Sequence, residues 1–366
     1  MTDVPVKLRP EILAQRAYTQ GKPAPANSFK LSSNEVHFEP LESVQKAVTE
    51  SVITNRYPDA SAKVVREALA EHYGLAVDNV IVGAGSVSLL YQAVQAAASV
   101  GDEVLYPWRS FEAYPGMVTL AGATSVTVPL RKDGTTNLEA MLDAITERTR
   151  LVIVCTPNNP TGPAVGQREF EQFMEKVPSD LLVIADEAYI EFVTDPSALN
   201  ATRILADHPN LVIARTFSKA YGLAGMRVGY MLGHPEIMRA FNTTAIPFLI
   251  SGQAQAAALA VMGEPEAIRQ RVNEITARRD EVRRALLDQG WPVPETQANF
   301  VWLPCGEQTE AVAEILREGG IIARAFPGDG IRISIAEEEA VTPLLAACWR
   351  AIERYPYLRA EEQNAG

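Results

Sequence analysis

The chain has 366 residues, 47% hydrophobic and 21% charged, which supports more than one buried core and excludes a disordered chain. Lys+Arg 33 against Asp+Glu 45 gives a formal net charge of -12, so the basic face that nucleic acid requires is not expected, while small-molecule partners stay open. Cys155, Cys305 and Cys348 are too scattered for a disulfide framework or a zinc set, and no metal is expected; with no signal-like start and no long apolar run, the expected place is the cytoplasm.

The first 29 residues show no strong period and are expected to form an arm packing with a small domain or a partner subunit. Residues 30–235 are expected to form a large domain. Apolar runs at 79–82, 103–106, 125–128, 151–155, 181–185, 211–215 and 228–232 read as strands, and 86–99, 138–145 and 168–175 read as helices between them. Buried strands joined by crossover helices predict an α/β fold with a mainly parallel seven-stranded sheet sandwiched by helices. Ligands in such sheets sit beyond the carboxyl ends of the strands. Residues 236–366 read as a smaller α+β domain. It has a long helix over 252–289, strand-like stretches at 298–304 and 330–336, a helix at 309–318 and a frayed tail, EEQNAG.

Four stretches beyond strand ends carry chemistry. In RTFSKAYGLAGMRVGY (215–230) an apolar strand delivers Lys219 to a loop with Thr216, Ser218 and Arg227. A solvated surface cation is the plain reading; a partly desolvated lysine able to form a Schiff base with an aldehyde, beside a phosphate held by the hydroxyls and Arg227, is the other. In VIVGAGSVSLLYQA a glycine turn opens a helix near Ser86, which is either a tight turn or an anion site at a helix N-terminus. In LVIADEAYIEF, Asp186 ends an apolar strand, where an unpaired carboxylate is costly. A local cap, a metal or a protonated heterocyclic nitrogen would each serve it, and Tyr189 could bond the phenolic oxygen of such a ring. In CTPNNPTGPAV, Asn159 is either a turn former or a donor to the same ring. Pyridoxal 5'-phosphate uses all of these groups together.

The motifs NRYPD, GAGS, NPTG, DEAY, TFSKAYGLAGMRVGY and GIRIS, in that order, resemble those of fold-type I pyridoxal-phosphate aminotransferases, from about Lys30 to Ala336. The resemblance is to the histidinol-phosphate aminotransferase-like subfamily, and within it to the actinobacterial aromatic amino acid (phenylalanine) branch. It implies Lys219 as the Schiff-base lysine, Asp186 on the pyridine nitrogen, and Asn159 and Tyr189 on the phenolic oxygen. It implies Ser86, Val87, Thr216, Ser218 and Arg227 around the phosphate and Phe111 stacked on the ring. Tyr57 would reach the phosphate of a partner subunit, which implies a homodimer with shared sites. Arg332 would pair with the substrate α-carboxylate, and Asn34 is counted with the substrate-binding residues. A strand arginine between isoleucines also calls for an anion on physical grounds, although a local ion pair would satisfy it. Arg324 matches an arginine that grips the phosphate of histidinol phosphate, or else pairs with Asp329 or another acid.

The implied reaction is transamination of phenylalanine, tyrosine or tryptophan with 2-oxoglutarate. Val87 in the glycine turn and the PWRSFEAYP segment depart from the histidinol-phosphate pattern and favour the aromatic donor. Histidinol phosphate is the alternative, and a lyase or decarboxylase on the same fold is a remoter one.

Overall fold

The computed structural model describes residues 6–15, 25 and 27–360. The expected frayed tail, residues 361–366, lies outside them, as does much of the expected N-terminal arm.

Among the described residues eleven strands build two sheets. In chain order they are β1 (Phe29–Leu31), β2 (Val80–Gly83), β3 (Glu103–Trp108), β4 (Thr124–Pro129), β5 (Thr149–Cys155), β6 (Leu182–Asp186), β7 (Leu211–Thr216), β8 (Gly229–Leu232), β9 (Phe300–Leu303), β10 (Ile321–Phe326) and β11 (Gly330–Ser334). The large sheet has the order β2-β8-β7-β6-β5-β3-β4, all seven at the stretches expected from sequence. Its strands pair in parallel from β7 through β4, whereas β8 runs antiparallel to both neighbours.

Alternation along the central strands makes the sandwich. Val152, Val154, Val183, Ala185 and Ile213 face one core, with Leu69, Phe170, Phe173 and Ala257 from helices Lys63–Tyr73, Gln167–Lys176 and Gly252–Met262. Leu151, Ile153, Ile184, Val212 and Ala214 face the other, with Leu89, Ala93, Met117 and Phe241 from Gly85–Ala97, Tyr114–Ala121 and Pro235–Thr243. With period-2 side chains, both faces must be apolar, which is why these strands read as continuous hydrophobic runs. The parallel register sets Cys155 beside Asp186 and Asp186 beside Ala214, so β5, β6 and β7 end at one edge.

The second sheet, β1-β10-β11-β9, covers a third core with helices Pro265–Asp288, Thr309–Glu318 and Val341–Arg354. Three expectations change here. The helix expected over 252–289 is two helices, Gly252–Met262 and Pro265–Asp288, because Pro265 pushes Glu264 off helical geometry, to φ -118° and ψ 45°. The boundary expected at 235/236 does not match the packing, since Ala254, Ala257, Ala258 and Val261 bury in the core of the large sheet. At the other boundary, β1 pairs in parallel with β10, so residues 29–31 belong to the small sheet. As for the arm, its described stretch 6–15 rests on the large sheet's side, where Arg9 donates to the carbonyls of Thr119 and Leu120, both at 2.9 Å.

Candidate active site

Asp186 is the last residue of β6 and is 3% exposed. The hydroxyl of Tyr114 donates to its Oδ2 at 2.7 Å. Its Oδ1 is buried with no hydrogen-bond partner among the described residues. Burial pushes the Asp186 carboxyl up to about 6; the Tyr114 bond opposes that, and neighbouring Glu187 adds to it.

Lys219 lies just past the end of β7, the strand next to β6. Its Nζ donates to the carbonyl of Ser33 at 2.9 Å and stands 6.0 Å from the centre of the Tyr189 ring. Desolvation, helped by the nearby Arg332 guanidinium, draws its pKa down to about 7. Close to neutrality this amine is therefore partly unprotonated and able to attack a carbonyl.

The surrounding polar groups form two hydrogen-bonded sets. Asn34 is fully buried, with a left-handed φ of 54°. Its Nδ2 donates to the Tyr189 hydroxyl at 2.9 Å, and its Oδ1 accepts from Ser334 at 2.9 Å. Burial lifts Tyr189 to about 12, so it is a neutral phenol at pH 7. Arg332, 8% exposed on β11, donates through Nη1 to Asn159 Oδ1 at 2.6 Å and through Nη2 to the carbonyl of Ser32 at 2.8 Å. Phe300 and Phe326 flank its guanidinium, with ring centres at 5.6 and 5.8 Å.

A helix N-terminus and an arginine adjoin these groups. Gly85, Ser86 and Val87 are the first residues of the helix Gly85–Ala97, where backbone N–H groups have no partner within the helix. Arg227, held at φ 57°, donates to the carbonyl of Ala224 at 3.1 Å and, at 3.4 Å, to the Ser218 hydroxyl. The Thr216 hydroxyl accepts from the Ser218 N–H at 3.1 Å. Two glycines allow this closeness: a Cβ on Gly85 would lie 2.7 Å from Arg227 Nη2, and one on Gly229 would collide with the backbone N of Ser86.

The structure thus links Lys219 with Tyr189 and Asn34, and Arg332 with Asn159; Asp186, on the strand beside the one that leads to Lys219, bonds Tyr114 instead, and Ser86, Val87, Thr216, Ser218 and Arg227 lie at or past the ends of β2 and β7. Phe111 packs edge-on against Tyr114, with ring centres 5.4 Å apart. Tyr57 stands apart, 80% exposed and stacked on Phe248 at 4.4 Å. Arg324 does not pair with Asp329: it donates to Glu112 Oε1 at 2.6 Å, and Asp329 pairs with Arg109.

Sequence reasoning missed Tyr114 and the carbonyls of Ser32 and Ser33. Tyr114 carried a slight signal, an aromatic residue three positions past Phe111, whose ring it meets across a turn at the start of a helix. Backbone carbonyls carry none.

Comparison with known proteins gives one consistent result. The family model described as aminotransferase class I and II matches residues 26–347. An aromatic amino acid aminotransferase of Corynebacterium glutamicum (strain R) is 50% identical over 327 residues, 89% of this chain and 94% of that protein. One from Streptomyces avermitilis is 46% identical over 344 residues, 93% of this chain and 96% of the relative. Among solved structures, histidinol-phosphate aminotransferase from Sinorhizobium meliloti in complex with pyridoxal-5'-phosphate superposes with a TM-score of 0.87. It is 28% identical, over 97% of this chain and 100% of that one.

Proposed function

The chain belongs to the class I and II aminotransferases, and from that membership we propose that it transfers the amino group of phenylalanine, tyrosine or tryptophan to 2-oxoglutarate, with pyridoxal 5'-phosphate as cofactor. One observation carries the reading: a buried carboxylate oxygen without a partner, Asp186 Oδ1, ends the strand next to the one that presents a desolvated amine, Lys219 Nζ. An orphaned carboxylate oxygen fits a protonated ring nitrogen, which would satisfy it. The amine fits an aldehyde, and the helix N-terminus with Arg227 fits a phosphate. The donor set therefore suits this cofactor.

In that role Lys219 would hold the aldehyde carbon, Asp186 the ring nitrogen, and Asn159 and Tyr189 the phenolic oxygen. Ser86, Val87, Thr216, Ser218 and Arg227 would hold the phosphate, and Phe111 would cover the ring. When bound, the cofactor supplies an electron sink for the pair left on the donor's Cα. Arg332 seats the α-carboxylate, exchanging its contacts with Asn159 and Ser32 for a charged pair. Lys219 Nζ, with a pKa near 7, takes the Cα proton as general base and returns one as general acid. Asp186 stays ionised above about pH 6 and keeps its countercharge in place.

The curated relatives support the aromatic donor, as does the engagement of Arg324 by Glu112, since a donor's phosphate would have to compete for that guanidinium. The reading includes a homodimer in which Tyr57 serves the partner's cradle. Supporting it, Ile53, Tyr57, Ile246 and Phe248 on two neighbouring segments are all exposed. It also places the protein in the cytoplasm, supported by three buried free cysteines. Among the described residues no helix is long and apolar enough to cross a membrane.

The test is a single-turnover titration of cofactor-loaded protein with phenylalanine, tyrosine, tryptophan and histidinol phosphate, following the bound cofactor's absorbance. The aromatic acids are expected to bleach it fastest. Preferential bleaching by histidinol phosphate would replace the aromatic assignment.

A further inference from the structure

Antiparallel pairing of β10 with β11 sets Arg324 directly opposite Arg332, and pairing of β11 with β9 sets Arg332 opposite Trp302. Residues opposite one another share a sheet face, as do residues two apart on a strand. One face of the small sheet therefore carries Arg324, Phe326, Arg332 and Trp302. Phe326 binds the group together: its ring centre is 5.9 Å from the Arg324 guanidinium carbon, 5.8 Å from that of Arg332 and 5.5 Å from the Trp302 ring. Two guanidiniums among aromatic rings would by their charge attract a substrate with two anionic groups at least as well as one with an α-carboxylate and an apolar side chain.

Glu112 changes that balance. It lies on the short segment between β3 and the helix Tyr114–Ala121, on the opposite wall of the site, and its Oε1 accepts from Arg324 Nη2 at 2.6 Å. The side chains of the pair are only 20% and 24% exposed, so water screens the interaction far less than at an open surface. A second ion pair of reversed sense, Arg109 with Asp329, ties the same segment to the β10–β11 turn and holds Glu112 in reach.

We infer that Glu112 is a specificity-determining residue: by pairing with Arg324 it withholds the second arginine of this face from anionic side chains and leaves an apolar ring as the favoured side chain of the donor. The inference rests on the reading of Arg332 as the α-carboxylate seat. Glu112 acts through Arg324 and is a positioning residue. A donor or acceptor with a distal carboxylate or phosphate must displace it, whereas phenylalanine leaves the pair closed. The acceptor 2-oxoglutarate therefore binds against Glu112 and saturates the enzyme at a higher concentration than Arg324 alone would set.

The experiment compares cofactor-loaded wild type, Glu112→Gln, Glu112→Asp and the double variant Glu112→Gln/Arg324→Gln. Phenylalanine, glutamate and histidinol phosphate serve as donors and 2-oxoglutarate as acceptor. In Glu112→Gln, kcat/KM for the two anionic donors relative to phenylalanine is expected to rise roughly tenfold or more, through KM rather than kcat, and the acceptor is expected to saturate at lower concentration. Glu112→Asp, which keeps the charge, should retain most of the wild-type discrimination, and the double variant should lose the gain. Unchanged ratios in Glu112→Gln, or a gain that persists without Arg324, would overturn the inference. If Glu112→Gln does not retain cofactor, Glu112→Ala, which also removes the charge, reads the same ratio, and a value equal to wild type together with unchanged saturation by the acceptor would overturn it. Failure of the underlying reading looks different, because wild type itself would then prefer histidinol phosphate to phenylalanine.

Discussion

Tyr114 donates its hydroxyl hydrogen to one oxygen of Asp186 at 2.7 Å, and the other oxygen has no partner among the described residues. The carboxylate is thus steadied from one side and open on the other, as a group waiting for a cation should be. That bond also works against burial, which pushes the Asp186 pKa up to about 6. Tyr114→Phe removes it and should raise the pKa further. The expected result is a fall in kcat of roughly tenfold or more, the worth of a hydrogen bond to a charged group. The acid limb of the pH–rate profile should also move to higher pH. A profile with both limbs unmoved would show that Tyr114 has no hold on this charge.

Asp186→Asn should slow turnover severely while stabilising the cofactor-free protein. The folded pKa, about 6, lies above the ordinary 3.8, so between those values the folded state binds more protons than the unfolded one and stability falls as pH rises. Above pH 6 the full cost is present, on the order of 3 kcal/mol. Thermal melts of the two apoproteins should therefore coincide near pH 4 and separate in favour of the variant at pH 7. Equal melting temperatures at both pH values would mean that the carboxylate is not strained.

Lys219→Ala should abolish turnover and the visible absorbance of the loaded protein together, because its Nζ is the desolvated amine of this loop. Absorbance spectra and a phenylalanine assay on the same sample decide it. Normal activity in this variant would remove Lys219 from the chemistry.

Arg332→Gln should reduce kcat/KM for phenylalanine by about a hundredfold, as expected when one partner of a buried charged pair is lost. Phenethylamine, which has the same ring and no carboxylate, should lose far less. A parallel loss for both compounds would indicate collapse of the network through Asn159 and Ser32 rather than loss of a carboxylate seat.

Gly229→Ala places a methyl group against the backbone N of Ser86 and 3.0 Å from the carbonyl of Arg215, and neither the start of that helix nor the strand can yield cheaply. A loss of about 1–3 kcal/mol in stability is expected, the usual range for overpacking, with weaker retention of the phosphate-bearing cofactor. Denaturation midpoints and cofactor equilibrium dialysis measure the two effects.

The inner strands of the large sheet were legible because each is buried on both faces, and a run such as LVIVC or LVIARTF has no amphipathic alternative, whereas the edge strand β4 is mostly exposed. Lys219 and Asp186 were legible for the same reason: a charge at the end of such a run is conspicuous. The break at Glu264 was less visible because helical periodicity continues on both sides of Pro265, although the proline itself was the signal. The long-range partners were not legible. Arg324 meets Glu112 across 212 residues of chain, and no local pattern tells which acid an arginine will find. Arg215 and Glu187 form a buried pair at 2.7 Å under the site, and each could have been suspected only as a charge in an apolar run that needed an opposite.

The backbone of residues 32 and 33 behaves as a placeholder. Its carbonyls accept from the Arg332 guanidinium and the Lys219 amine, so a carboxylate or an aldehyde taken up there must displace them. Each arrival at the site is consequently an exchange, and measured affinity is the difference between two sets of contacts. Substitutions that loosen the chain around Asn34 should therefore weaken the fold yet tighten binding, so that selection for one is selection against the other.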